Sequence, residues 1–204
     1  MTSGFNVLYL VIVLVSILIA MTVHEAVHAY VGFALGDTTA AEEGRLSLNP
    51  LRHIDPFTTI LLPVITLLLF QAPILAARPV PFNPYRVRYG EWGAALIALA
   101  GPLSNFLMAI VAAGVFRLAD PGSLFGAVLY IFVTLNVALG VFNLMPIPPL
   151  DGSRVLFAFA PEPLQDFMRQ IEPYGMFIIF GLVLLGGFGG LLTGLNQAVL
   201  QLLL

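Results

Sequence analysis

The sequence predicts an all-α integral membrane protein of five to six hydrophobic segments, one of them re-entrant, with short extended elements in its loops. Three observations predict it. Of the 204 residues, 59% are hydrophobic and only 9% are charged, against roughly 25% charged in a typical soluble domain. The mean hydropathy of +0.99 leaves too little polar surface to coat a water-soluble globule. The apolar residues also fall in runs long enough to cross a hydrocarbon core of about 30 Å, which takes roughly 20 helical residues. A cytosolic enzyme, a nucleic-acid binder and a disordered regulator are thereby excluded, and the lipid bilayer is the chain's first partner. No polar linker divides the sequence, so residues 1–204 read as a single membrane domain. Cysteine is absent, which removes disulfides, thiolate metal ligands and a cysteine nucleophile. The net charge of −3 is too small to identify a partner.

The first apolar segment, 5–35, is too long for a cleaved signal peptide, lacks a basic start, and carries His24, Glu25 and His28 near its end. A more polar stretch, 36–56, holds Arg45 and Arg52. Segment 57–76 is apolar but interrupted by Pro63 and Pro73, and residues 77–90 add Pro79, Pro81 and Pro84 together with Arg78, Arg86 and Arg88. Segments 91–117 and 124–145 are long enough to span, and residues 146–170 carry Arg154 and Arg169. The last segment, 174–204, contains Gly186, Gly187, Gly189 and Gly190, which suit a helical hairpin or one kinked helix. An excess of basic residues marks cytoplasmic loops, and every Arg except Arg117 lies in one of three loops. With those loops on one side, segment 57–76 enters and leaves by the same face as a re-entrant element. The alternative is a fifth spanning helix. Irregular backbone at membrane depth is tolerated only against protein or a water-filled cavity.

Chemistry is concentrated in His24-Glu25-Ala26-Val27-His28. A helix puts residues four apart on one face, so both imidazoles can bind one metal ion, and Glu25 lies where it can reach a metal-bound water. This is the HExxH pattern of zinc hydrolases. It sits in an apolar run, where a carboxylate costs several kcal/mol unless paired or functional. A catalytic zinc site has three protein ligands and one open position. The remaining histidine is His53, and most of the acids lie in loops or at segment ends. Asp151 differs, because it follows the apolar run and the turn Asn143-Leu144-Met145-Pro146-Ile147-Pro148-Pro149-Leu150, whose prolines prevent a continuous helix. Asp151 also precedes an apolar helix start, where a carboxylate is favoured as an N-cap; that is the structural alternative.

These residues resemble the site-2 protease family of intramembrane zinc metalloproteases. HEAVH at 24–28 is similar to the family's first motif, and NLMPIPPLDG at 143–152 to its second. GRLSLNPLRHIDPF at 44–57, RPVPFNP at 78–84 and AGPLSN at 100–105 resemble a small bacterial branch. The resemblance implies one Zn2+ per chain held by His24, His28 and Asp151, with Glu25 as catalytic acid/base and Asn143 positioning substrate or stabilising the oxyanion. It implies a transmembrane protein substrate and a multi-pass protein in a bacterial or archaeal cell membrane. The spacing between the two motifs is longer than in the shortest members, and 57–76 looks like the extra piece.

Topology and ligation can be checked against each other. His24 lies about 15 Å from the end of segment 5–35 by helical rise, and Asp151 must reach the same depth from the same face. A re-entrant 57–76 allows this; a spanning 57–76 puts the two motifs on opposite faces. The site is then nearer the cytoplasmic side. Substrate must unwind to be cut, and the Pro-rich stretch with Pro79, Pro81 and Asn83 can receive it as an added strand, or can simply be a rigid loop. His53 can line the substrate path, support the zinc ligands, or cap its own loop. Asn105 is expected to pack or bond between helices and ranks below Asn143 as a functional candidate. The rival function is a zinc-binding membrane protein without peptidase activity, a carrier or an inactive scaffold.

Overall fold

The computed structural model describes residues 7–53, 80–184 and 187–204. Segment 57–76 and Pro79, with the choice between re-entrant and spanning, lie outside the described residues. Helix α1 runs Val7–Ala34, the one-turn α2 spans Thr39–Glu42, and a 3-10 turn covers Pro50–Arg52. Then come α3 (Glu91–Phe116), α4 (Leu124–Asn143), α5 (Asp151–Phe159) and α6 (Glu162–Ile171). The last apolar segment is two helices, α7 (Gly175–Leu184) and α8 (Gly187–Leu203). No strand occurs among the described residues, and 80–83 carries no regular structure.

Three helices, α1, α3 and α4, are long and apolar enough to cross a membrane. Helix α3 is the hub, packing against α1, α4 and α5. Its sequence explains why. The buried face of α3 is small: Gly93, Ala94, Ala95, Ala98, Gly101, Ala109, Ala112 and Ala113. In lipid there is little hydrophobic drive between helices, and small residues let backbones come close enough for packing and interhelical hydrogen bonds to act. Ala109, Ala112 and Ala113 meet Val133, Val137 and Val141 of α4, and Leu192, Val199, Leu200 and Leu203 of α8 close the cluster. The outward residues of α1, among them Val7, Leu8, Val11, Leu14, Val15, Leu18 and Ile19, are exposed and apolar, as a lipid-facing surface requires. The protein is a membrane protein.

Helix α1 ends in a capping motif that the sequence Gly32–Asp37 specifies. Gly36 takes φ +99°, its N–H donates to Phe33 O at 3.0 Å, and the Asp37 N–H donates to Gly32 O at 3.0 Å. Two orphan carbonyls of the last turn are thus satisfied. Asp37, only 2% exposed, then joins two loops. Its Oδ1 accepts from the Thr39 N–H at 3.0 Å and the Thr39 hydroxyl at 2.5 Å, and its Oδ2 from the Asn83 N–H at 2.7 Å. The Arg88 N–H adds a bond to Leu35 O at 2.8 Å. The exposed Arg86–Glu42 pair at 3.0 Å contributes little by comparison.

Burial alone would raise the Asp37 pKa. Hydrogen bonds from Thr39 and Asn83, with the Arg86 charge, outweigh it and hold the carboxyl below its ordinary value. A depressed folded-state pKa means that the junction is fully stabilised above the ordinary carboxylate range and loses that support as pH falls through the lowered value. Hydrogen exchange at the Thr39 and Asn83 amides, corrected for intrinsic rate, is expected to lose protection over that acid window. Asp37→Asn is expected to show the loosened junction already at neutral pH; equal protection in both proteins at all pH values would contradict this account.

Candidate metal centre

Helix α1 presents His24 and His28 on one face, because four residues make slightly more than one turn. Both are buried. Helix α5 brings the third group. The proline-rich turn folds back so closely that a Cβ on Gly152 would stand 2.1 Å from the Leu144 carbonyl oxygen. Only glycine fits there, and Asp151 beside it starts α5 directly against α1. The N-cap residue of α5 is Leu150 and no side chain caps the helix, so the Asp151 carboxylate is not spent on the cap. Instead its Oδ2 lies 3.1 Å from His24 Nε2 and 3.3 Å from His28 Nε2, and the two Nε2 atoms are 3.0 Å apart. An edge-to-face pair of Trp92 and Phe159, centroids 4.7 Å apart, helps dock α5 on α3.

The protonation of these rings follows from their far sides. His28 Nδ1 donates to Ile97 O at 2.7 Å. His24 Nδ1 is 2.6 Å from Asn105 Oδ1, while the Asn105 NH2 group is turned to Asn136 Oδ1 at 3.0 Å and Ala20 O at 3.4 Å. With each proton on Nδ1, both Nε2 atoms present lone pairs, and they converge on a carboxylate oxygen. Three acceptors within 3.3 Å repel unless a cation lies among them. The donor set suits zinc: bonds of about 2.0–2.1 Å in a tetrahedron put neighbouring ligand atoms roughly 3.3 Å apart. Three protein donors rather than four is also the count of a catalytic site. Among the described residues this is the group of His, Asp and Glu side chains able to hold a metal.

Space for the rings comes from α3. A Cβ on Gly101 would lie 2.3 Å from His28 Nε2 and 2.7 Å from His24 Cε1. Pro102, fully buried, cannot donate to the carbonyl four residues back and so loosens the helix at this level.

Glu25 is half-buried next to His24, and its Oε2 accepts from the Val80 N–H at 3.0 Å. Asn143 ends α4, with its NH2 group bonded to Leu139 O at 3.1 Å; it makes no hydrogen bond to the three clustered side chains. His53 stands apart from the cluster: it is 3% exposed and its Nε2 donates to Ser47 O at 2.7 Å, which is the loop-capping role. Pro81 and Asn83 lie in the irregular 80–83 stretch, where Asn83 is tied to Asp37. The stretch is also tied to α5: Arg154 pairs with Glu172 and lies 5.9 Å from the Phe82 ring centre. Asn105 bonds between helices as expected; its partner Asn136 was not among the residues the sequence singled out. The available signal was an amide side chain inside an apolar spanning helix, where an unpaired polar group is costly.

Residues 117–186 match the family model described as Peptidase family M50. The "Putative zinc metalloprotease YwhC" of Bacillus subtilis (strain 168) is 39% identical over 181 residues, covering 84% of this chain and 78% of the relative. Rip2 of Mycolicibacterium smegmatis, named in the same way, is 29% identical over 181 residues, covering 85% and 67%. Protease RseP of Photorhabdus luminescens is 32% identical over 98 residues, covering 44% and 40%. No solved structure matches the chain.

Gly101→Ala is expected to lower zinc occupancy by pushing a methyl group into both imidazoles, with helix content unchanged. Metal content by elemental analysis beside circular dichroism checks it; full occupancy would show that the rings have room to give.

Proposed function

The chain belongs to peptidase family M50, the site-2 protease family of zinc metalloproteases, and we propose that it hydrolyses peptide bonds within or beside transmembrane segments of membrane-protein substrates, acting as one domain. The observation that carries this reading is the position of the convergent donor group: it is buried on a helix long and apolar enough to cross a membrane, so any bond cut there must enter the bilayer region.

In this reading His24, His28 and Asp151 hold the ion. When bound, zinc supplies a Lewis acid for the scissile carbonyl and lowers the pKa of the attacking water. Glu25 takes the water's proton and passes it to the leaving amine. To do so its carboxylate must face the substrate, so the Val80 N–H that it now accepts from either shares it or lets go. Asn143 keeps one N–H free beyond its bond to Leu139 O and offers it to the developing oxyanion. A substrate helix has its backbone groups paired internally and must unwind before attack. The 80–83 stretch can receive it as an added strand. With Pro79 and Pro81 lacking N–H groups, and Val80 and Asn83 donating to Glu25 and Asp37, the available edge there is the Phe82 amide and the carbonyls.

The Arg distribution supports a site nearer the cytoplasmic face, in the cell membrane of a bacterium or archaeon. A carrier would need further ionisable groups along a path through the helices, and among the described residues the single group of three is the one on α1 and α5.

Glu25→Gln is expected to keep its zinc and to cut a single-span membrane substrate at least about 100-fold more slowly than the wild type, the usual scale of lost acid/base catalysis. Quantified cleavage in proteoliposomes beside metal content checks it. Unchanged cleavage with zinc retained removes Glu25 from the chemistry; no cleavage of any membrane substrate by the zinc-loaded wild type removes the reading itself.

A further inference from the structure

Beyond the ligands themselves, two buried amides form a chain with one direction. Asn105 on α3 and Asn136 on α4 are both 0% exposed. His24 Nδ1–H donates to Asn105 Oδ1 at 2.6 Å, the Asn105 NH2 to Asn136 Oδ1 at 3.0 Å, and the Asn136 NH2 to Phe132 O at 2.9 Å. Each link fixes the next. The Phe132 carbonyl can only accept, so Asn136 must turn its NH2 to it and its Oδ1 toward α3. That oxygen, at 3.0 Å and nearer than the Ala20 carbonyl at 3.4 Å that takes the other N–H, makes Asn105 present its NH2 to it and its Oδ1 to His24. The imidazole must then carry its proton on Nδ1 and leave the Nε2 lone pair for a metal. A flip of either amide would put like against like in a buried, low-dielectric place, where such mismatches are most costly.

We infer that Asn136, which touches no metal ligand, is a positioning residue for the zinc site: through Asn105 it sets the tautomer and orientation of His24. The inference rests on the reading of His24, His28 and Asp151 as zinc ligands. A His28 ring anchored on a backbone carbonyl cannot be misturned by a side-chain flip, whereas His24 depends on two amides that rotate freely in isolation. The two ligands thus differ in how they are held, and the amide chain from α4 ends on His24.

The test uses the full chain in detergent and reads zinc affinity by chelator competition, with the melting temperature of the metal-free protein as the control for folding. Asn136→Leu removes the acceptor for Asn105, and a 10- to 100-fold weaker zinc Kd is expected, the usual scale for losing a group that orients a ligand. Asn136→Asp, its carboxyl kept neutral by burial against the Phe132 carbonyl, keeps an acceptor facing Asn105 and a donor to Phe132 O; its Kd is expected within about threefold of the wild type, well inside that scale. Wild-type affinity in a folded Asn136→Leu overturns the inference, and so does equal loss in the Leu and Asp variants, which would mean packing. Should Asn136→Leu fail to fold, Asn105→Ala against Asn105→Asp gives the same contrast, with the Asp variant expected to hold zinc and the Ala variant to lose it. If the wild type binds zinc and His24→Ala does not, the ligand reading stands whatever position 136 does. A wild type that binds no zinc overturns both.

Discussion

Two imidazole nitrogens and a carboxylate oxygen, mutually 3.0–3.3 Å apart, meet in the interior of a membrane protein with their hydrogen-bonding protons on the far side of the rings. Such a cluster is unfavourable by itself: each member accepts, none need donate, and lipid and packed helices screen nothing. A divalent cation reverses the sign of every one of those interactions. Much of the surrounding structure serves to hold the cluster in that state. Ile97 O and Asn105 keep the protons on Nδ1, and Gly101 leaves room for the rings. Gly152 permits the turn that delivers Asp151.

The same demand explains the composition of α3. A helix that must approach α1 closely enough to meet two imidazoles, and approach α4 and α5 as well, keeps its inner face mostly small, with Ile97 its one large buried aliphatic side chain. The alanines and glycines there are what close packing in lipid calls for. Bulk is moved outward, where Leu96, Leu103, Leu107, Ile110 and Val111 are exposed and face apolar surroundings at no cost. Where the inner face is polar it is fully paired, as Asn105 is with α1 and α4.

Outside the bundle, polar loops tie the second half of the molecule to the first. Asp37 and Leu35 at the end of α1 hold Asn83 and Arg88. Glu25 holds Val80, and Arg154 reaches from α5 toward Phe82. The 80–83 stretch is therefore fixed at both ends beside the catalytic-type centre, through hydrogen bonds to a few backbone amides rather than through a buried apolar face. Contacts of that kind can be exchanged without unpacking the helices.

The apolar runs determined α1, α3 and α4 almost to their observed ends, because helix formation in a bilayer follows from local hydropathy and the need to satisfy backbone groups internally. HEAVH placed two donors on one face for the equally local reason of helical period, and the resemblance of NLMPIPPLDG to a known motif pointed to Asp151. In the Gly-rich last segment the described residues form two helices, Gly175–Leu184 and Gly187–Leu203. Only the tertiary structure could decide which acceptors meet. Whether Asp151 caps its own helix or faces α1, and whether His53 joins the histidine pair or caps the Ser47 loop, depends on a turn folded onto the Leu144 carbonyl and on contacts between residues far apart in the chain. Asn136 was invisible for the same reason. An amide in an apolar helix announces a partner, but the partner's identity lies in how α3 and α4 pack, and no period or spacing along one helix encodes that.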